Sequence, residues 1–345
     1  MNSIKVLDCT LRDGGWINNF EFGCESMKNI VSSLEKSGVE YIELGYIDKQ
    51  KGSPEGRSFY DSMEAIYNNG LLTDRKQDIE YLAMIDFGKY PLDELPEKSE
   101  KTVDGIRLCF HKKDYHAALS EGQKIIEKGY DLLIQPMVCT RYSTREYKEL
   151  IRHVNDMEGV SAFYMVDSFG IMKPEDIKKK LHTVDNNLNE NIKIGLHAHN
   201  NMNLAFENAI TVAEIPQRHQ ILLDATLMGM GKGPGNLCTE EIAAYLDSNF
   251  YKSYDVELVN DTVTKEILPY KKNYKWGYSR EYMLSAKYRL TSSYAKALYR
   301  EYHFPIEEVD EILSLIPEEK KDSFDRIFLE NLLEERLNTE EKTEK

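Results

Sequence analysis

The segment IGLHAHNN (194–201) sets two imidazoles one residue apart, followed by two amides, directly after an apolar run. Side chains alternate faces along a strand, so His197 and His199 share one face, with Cα atoms roughly 6.6 Å apart. Imidazole–metal bonds are about 2.0–2.1 Å long, so two rings that lean together reach a common ion. A lone histidine would read as a hydrogen-bonded strand end. A pair at the C-terminal end of a strand points to a divalent metal, provided that a carboxylate joins it from elsewhere.

TLRDGG places Arg12 beside Asp13, IELG holds Glu43, VDSFG holds Asp167 and Ser168, and GMGKGPGN (229–236) is dense in glycine around Lys232. Asp13, His197 and His199 make a two-imidazole, one-carboxylate set, which suits a transition metal that keeps positions open for substrate. Each group also has a plain structural reading. Arg12 and Asp13 form a turn with a surface ion pair. Glu43, inside an apolar strand where an unpaired carboxylate is costly, is a structural partner of Arg12. Asp167 caps the turn that follows it. The glycines permit a tight loop, or they let backbone N–H groups approach an anion.

These residues need elements to position them. Eight apolar runs rich in β-branched residues recur at 4–10, 41–47, 79–86, 105–110, 131–138, 162–167, 192–199 and 221–229. Amphipathic segments alternate with them, at 25–38, 114–129, 144–159, 173–188 and 201–214. Near-continuous apolar strands covered by helices indicate parallel pairing, and eight such units within about 250 residues fit a (β/α)8 TIM barrel. A doubly wound open sheet is the runner-up, but the first turn, TLRDGGW, is not a GxGxxG phosphate loop. In a barrel the active site lies at the C-terminal strand ends, where all the groups above are delivered.

Beyond residue 250 the pattern is helical and rich in Tyr and charge. Three domains are expected: a barrel over 1–250, an all-helical subdomain over 251–337 and a disordered tail over 338–345. The stretch 278–302 reads as one long helix. Ile306, Val309, Ile312, Leu313 and Ile316 fall on one stripe, and Phe324, Ile327, Phe328 and Leu332 on another. The tail has too little apolar content to order itself.

The chain has 345 residues, is 41% hydrophobic and carries a net charge of −15, which argues against binding nucleic acid or an anionic membrane through bulk electrostatics. Five scattered cysteines without CxxC spacing argue against zinc fingers and disulfide frameworks. With no leader-like N-terminus and no membrane-length apolar run, a cytoplasmic location is expected.

In this order and spacing TLRDG, Glu43 in the second strand, VDSFG, GLHAHN and GMGKGPGNLCTE resemble the DRE-TIM metallolyases. That superfamily includes hydroxymethylglutaryl-CoA lyase, isopropylmalate and homocitrate synthases, and 4-hydroxy-2-oxovalerate aldolase. The resemblance covers about residues 4–250 and is greatest to the last of these. SAKYRLTSSYAKAL is more loosely similar to that aldolase's C-terminal region. The resemblance implies carbon–carbon bond chemistry through an enolate held on a divalent metal, with a 2-oxoacid such as pyruvate and an aldehyde as substrates. It implies Asp13, His197 and His199 as metal ligands, with Asn236 as a further one. Arg12 would hydrogen-bond the enolate oxygen, and Glu43 would orient Arg12 or a metal-bound water. Asp167, Ser168, Trp16, Gly231 and Gly233 would face the substrate. With mixed N,O ligands Mn²⁺ is favoured, with Mg²⁺, Co²⁺ or Zn²⁺ as alternatives. The resemblance also implies a homo-oligomer, or an aldehyde dehydrogenase partner held by the C-terminal helices.

One departure stands out. The aldolases carry a histidine two residues past the RDG glycine, thought to act as general base, where this chain has Trp16, which cannot take a proton. Glu21, Tyr46, a metal-bound water and a tyrosine of 278–302 are the candidates to replace it. Two other functions stay open at this point. One is a Claisen-type acyltransferase like the synthases, although DGGWIN lacks the acidic residue and Gln common there. The other is a non-catalytic metal-binding barrel.

Overall fold

The computed structural model describes residues 4–50 and 52–343, with side chains described through residue 336. Among the described residues there are nine parallel strands: β1 (Ile4–Asp8), β2 (Tyr41–Ile47), β3 (Phe59–Tyr60), β4 (Glu80–Asp86), β5 (Gly105–Phe110), β6 (Asp131–Pro136), β7 (Val160–Asp167), β8 (Lys193–Ala198) and β9 (Ile221–Ala225). The order is β1-β9-β8-β7-β6-β5-β4-β2-β3, and β1 pairs again with β2. The sheet is therefore a closed eight-stranded (β/α)8 TIM barrel, with the two-residue β3 appended to β2.

β2 and β5 are buried at every position, as expected for strands with one face in the barrel and the other under helices. Leu7, Cys9, Tyr41, Leu82, Leu133, Tyr164 and Leu222 pack as one apolar cluster filling the barrel. Alternation then puts Glu43, Gln135 and Asp224 on the inward face, two residues beyond Tyr41, Leu133 and Leu222. On β2 the register slips between Glu43 and Tyr46. Gly45 holds the bulge at φ 149°, and a Cβ there would lie 2.1 Å from the Ser58 carbonyl oxygen. Such bulges at a barrel rim re-aim a side chain. Here the bulge brings Tyr46, as well as Glu43, to the inner side.

The expected helices appear as Cys24–Lys36, Tyr115–Glu127, Thr144–Asn155, Pro174–Asp185 and Ala205–Glu214. Between β4 and β5 the connection holds only a 3₁₀ turn, Leu92–Glu94, among the described residues. Pro91 and Pro96 bracket it and restrict the residues before them to extended backbone. The expected single helix over 278–302 is instead two, Arg280–Lys287 and Ser292–Lys296, the second continuing as a wide turn to Glu301. Arg289 stands at φ 53° and stops the first helix in the left-handed way, which turns Leu290 into a second core.

That core joins Leu284, Leu290, Tyr294 and Leu298 to Val309, Ile312, Leu313 and Ile316, with Ile306 partly buried beside them. The last stripe is set differently from expectation: Ile327 is 71% exposed and Leu329 is buried, because the helix begins only at Arg326. That helix runs to Thr343, into the stretch expected as a tail, whose side chains and last two residues lie outside the described residues. The barrel core itself extends past residue 250, through Tyr254, Val259, Ile267 and Trp276. The C-terminal helices are tied to the barrel mouth, where Trp276 Nε1 donates to the Met228 carbonyl (2.9 Å) and Asn201 Nδ2 to that of Tyr282 (3.1 Å). Among the described residues no helix is long and apolar enough to cross a membrane.

Candidate active site

The sequence TLRD forms a single buried helical turn, Thr10–Asp13, straight after β1. Its start is pinned by Asp8, whose carboxylate accepts from the Thr10 N–H (2.9 Å) and the Thr239 hydroxyl (2.6 Å). The Thr10 hydroxyl in turn accepts from the Leu227 N–H (2.8 Å), so the first and last barrel loops are stitched together. The glycine-rich loop also pairs with the end of β8: His199 and Asn236 form a β-bridge, and the Asn200 N–H donates to the Gly235 carbonyl (2.9 Å). These contacts bring residues 13, 197, 199 and 236 to one place.

Asp13 Oδ2 lies 3.3 Å from His197 Nε2, 3.9 Å from His199 Nε2 and 2.9 Å from Asn236 Nδ2. Both rings are held from behind. His197 Nδ1 is 3.0 Å from Asp224 Oδ2, and His199 Nδ1 is 2.8 Å from the Ser168 carbonyl. A carboxylate and a carbonyl only accept, so Nδ1 carries the proton on each ring and Nε2 is turned inward. Metal-binding histidines are held in this manner. Burial pushes the His197 pKa down, but hydrogen bonds to Asp13 and Asp224 outweigh it and leave it raised. Burial and the neighbouring His197 lower that of His199 to about 4. Burial also opposes ionisation of Asp13, yet Arg12, His197 and His199 hold its carboxyl well below the usual range.

The donor set fits a hard or borderline divalent cation. The Asn236 amide oxygen is buried with no hydrogen-bond partner, as a spare oxygen ligand would be. Gly231 makes room for that amide, since a Cβ there would lie 2.3 Å from Asn236 Nδ2. Cys9, Asp13 and His197 place one ligand atom each within 4.8 Å of one another, a buried group that could hold a metal. Burial keeps the Cys9 thiol protonated, and it donates to the Ala225 carbonyl (3.4 Å). We therefore rank His199 above Cys9 as a ligand.

Arg12 is fixed from the opposite side. Its Nε donates to Glu43 Oε2 (2.7 Å) and its Nη1 lies 3.4 Å from Asp13 Oδ2, while Nη2 is buried without a partner. Glu43 Oε1 lies 2.8 Å from Arg107 Nε, an ion-pair contact off the hydrogen-bonding direction. With both oxygens occupied by guanidinium groups, Glu43 orients arginines. Arg107, fully buried, also pairs with Asp224 and donates to Gln135 Oε1 (2.7 Å), and the Tyr164 ring lies 4.5 Å from it. A continuous chain thus runs Arg12–Glu43–Arg107–Asp224–His197.

Sequence reading missed Arg107, Gln135 and Asp224. The signal was there, because GIRLCF and ILLDATLMG carry a charge inside an apolar strand just as YIELGYI does. Asp86 was missed too. It ends β4 and has its carboxyl raised by burial. Replacing Arg107 by Ala leaves Glu43 and Asp224 buried with one partner fewer each. A loss of about 3–5 kcal/mol is expected, read from the urea midpoint; a loss below about 1 kcal/mol would mean that the network does not support the barrel.

Other expected site residues are placed differently. Asp167 accepts from the N–H groups of Ile171 (3.1 Å) and Met172 (2.9 Å), so its carboxylate caps its own turn. The Ser168 hydroxyl accepts from the Val138 N–H (2.9 Å). Both shape the loop whose carbonyl holds His199. Trp16 and Gly233 line a neighbouring cavity of about 410 Å³ under the C-terminal helices. Trp16 is 44% exposed and packs edge-on against Phe20 and Tyr46.

Comparisons with known proteins place the chain among related sequences and folds. A family model described as HMGL-like matches residues 110–262. The chain is 28% identical over 246 residues to a 4-hydroxy-2-oxovalerate aldolase of Geobacillus genomosp. 3, covering 71% of this chain and 70% of the relative. It is 26% identical over 259 residues to the Bacillus cereus (strain ATCC 10987 / NRS 248) protein of that name, covering 74% and 72%. Among solved structures, the N-terminal domain of a candidate aldolase from Bacteroides vulgatus superposes with a TM-score of 0.73 at 24% identity, covering 86% of this chain and 97% of that one. The carboxyl transferase domain of Rhizobium etli pyruvate carboxylase with pyruvate gives 0.68 at 11% identity, covering 91% and 56%. At these identities the structures attest the fold alone. Residues 110–262 match the HMGL-like model, and with relatives named 4-hydroxy-2-oxovalerate aldolase the chain is an enzyme of the aldolase and lyase class.

Proposed function

We propose that the protein is a divalent-metal-dependent aldolase that makes or breaks a carbon–carbon bond through a pyruvate-type enolate. The observation that carries this reading is a buried arginine donor without a partner, Arg12 Nη2, beside inward-facing ligand atoms of Asp13, His197 and His199. Relatives named 4-hydroxy-2-oxovalerate aldolase support a 2-oxoacid and an aldehyde as substrates.

Charge supports it as well. Asp13, Glu43 and Asp224 set three carboxylates against the guanidinium groups of Arg12 and Arg107. Among these five groups one negative charge is left in excess, and hydrogen bonds to Asp13 and Asp224 raise the His197 pKa. A divalent cation reverses the excess by one charge, and an anionic substrate restores balance. Asp13, His197 and His199 would hold the ion, with Asn236 Oδ1 beside them, and the ion would supply Lewis-acid polarisation of the keto group.

Arg12 Nη2 donates to the oxygen on which charge develops, and Glu43 keeps the guanidinium from turning away. Asp86, its carboxyl raised by burial, takes the proton from the carbon next to the keto group. The C–H electron pair becomes the enolate double bond, and the enolate carbon then attacks the aldehyde carbon. The resulting alkoxide takes back the proton that Asp86 accepted, and cleavage is the reverse. Trp16, unable to act as a base, excludes water from the rim.

The test is deuterium exchange at the pyruvate methyl group in D₂O with Mn²⁺-loaded protein, followed by NMR. Exchange well above the protein-free rate is expected, with a drop of about 10²-fold in Asp86→Asn. No exchange with Mn²⁺, Mg²⁺, Co²⁺ or Zn²⁺ would remove the aldolase reading.

A further inference from the structure

We propose that the acceptor aldehyde ends in a phosphate, bound in the cavity between the barrel mouth and the C-terminal helices. This inference rests on the aldolase reading and names the class of its second substrate.

The cavity, about 410 Å³, is lined by Trp16, Lys232, Lys275, Ser292, Ser293 and Lys296. That volume suits a small metabolite. Its lysines come from three separate stretches: the glycine-rich loop after β9, the segment before Arg280–Lys287, and the end of Ser292–Lys296. In a chain with 59 acidic residues against 44 basic ones, lysines at random on the surface are expected to find carboxylates. Among the described residues none of these three forms an ion pair with one. Arg300, on the same wall, shows the contrast: its Nε and Nη2 both bond to Glu281 Oε1, at 2.8 and 2.7 Å. Three uncompensated ammonium groups with two hydroxyls around one hollow match a compact dianion with several acceptor oxygens.

The cavity also adjoins the reacting centre. Trp16 ends the short turn that directly follows Asp13. The Lys232 ammonium stands on the loop that carries Asn236. It lies 5.8 Å from the centre of the Trp16 ring, within cation–π range. A short phosphorylated aldehyde spans these features. Its carbonyl end would reach toward Asp13 and Arg12, its carbon chain would lie along the indole, and its phosphate would sit between Lys232, Lys275 and Lys296. Trp16, where the resembled aldolases keep a histidine, is then a wall for a longer acceptor.

The experiment has two arms on Mn²⁺-loaded full-length protein. In the first, condensation with pyruvate is compared within matched pairs, glyceraldehyde 3-phosphate against glyceraldehyde and succinic semialdehyde against butanal. In the second, binding of unreactive glycerol 3-phosphate is measured by calorimetry. Wild type is expected to prefer the phosphorylated aldehyde in kcat/KM by at least about tenfold over its neutral partner. Lys296→Glu is expected to bring that ratio close to one and to abolish the calorimetric signal. Reading a ratio guards against a general loss of folded enzyme. Pyruvate exchange with no phosphate preference and no glycerol 3-phosphate binding would overturn the inference and spare the aldolase reading. Preference for succinic semialdehyde alone would overturn the phosphate in favour of a carboxylate. Glycerol 3-phosphate binding that Lys296→Glu abolishes, without any pyruvate exchange, would keep the anion pocket and sink the aldolase reading. Absence of both signals would overturn both.

Discussion

Asp13→Ala is expected to lose Mn²⁺ binding by more than about 10²-fold while the barrel stays folded. Second-sphere partners of a metal ligand alone cost 10–100-fold when removed, so loss of the only carboxylate among the proposed ligands should cost more. The fold should survive because Asp13 belongs to the rim. Arg12 keeps Glu43 at 2.7 Å, and the turn is still pinned by Asp8, Thr10 and Thr239. The check is Mn²⁺ titration by electron paramagnetic resonance alongside far-ultraviolet circular dichroism. His199→Ala should move in the same direction, since its Nε2 faces the same oxygen. A variant that binds Mn²⁺ as the wild type does, with an unchanged spectrum, would disprove the ligand set.

Arg12→Ala is the second large effect. It should retain the metal and lose about 10²–10³-fold in pyruvate methyl exchange, the usual cost of removing one donor aimed at developing negative charge. Nη2 is the relevant atom, because Nε is committed to Glu43 and Nη1 faces Asp13. Arg12→Lys restores the charge but not the fork, so it should recover only part of the loss. Glu43 keeps Arg107 as a partner in either variant, which limits the damage to stability. Undiminished exchange in Arg12→Ala would take the guanidinium out of the mechanism.

Both predictions concern residues that are legible in the amino-acid sequence. Their types and spacing carry the information: a histidine pair at strand period, and an arginine–aspartate pair at the end of the first strand. Other residues are legible in principle but easily passed over. Arg107 and Asp224 break apolar strands just as Glu43 does, and one rule applied three times finds the three middle members of the buried chain. Asp167 goes the other way. Its carboxylate is expected to face substrate, with the turn cap as the alternative, and local N–H groups of Ile171 and Met172 take both oxygens. A short acidic side chain at a strand end satisfies the nearest backbone donors first.

The amino-acid sequence by itself determined the barrel, because the alternation of doubly buried strands with one-sided helices is a local pattern that each segment carries alone. It determined the imidazole pair for the same reason, since strand period is a property of neighbouring residues. Tertiary structure alone decided that Asp13, 184 positions before His197 along the chain, shares a site with it. Barrel closure through β1–β2 and β1–β9 makes that contact, and ring closure is a property of the whole sheet. The break at Arg289 and the basic cavity likewise arise only when the C-terminal helices dock on the barrel. The energies that choose them come from surfaces far apart in sequence, and no local window contains both sides.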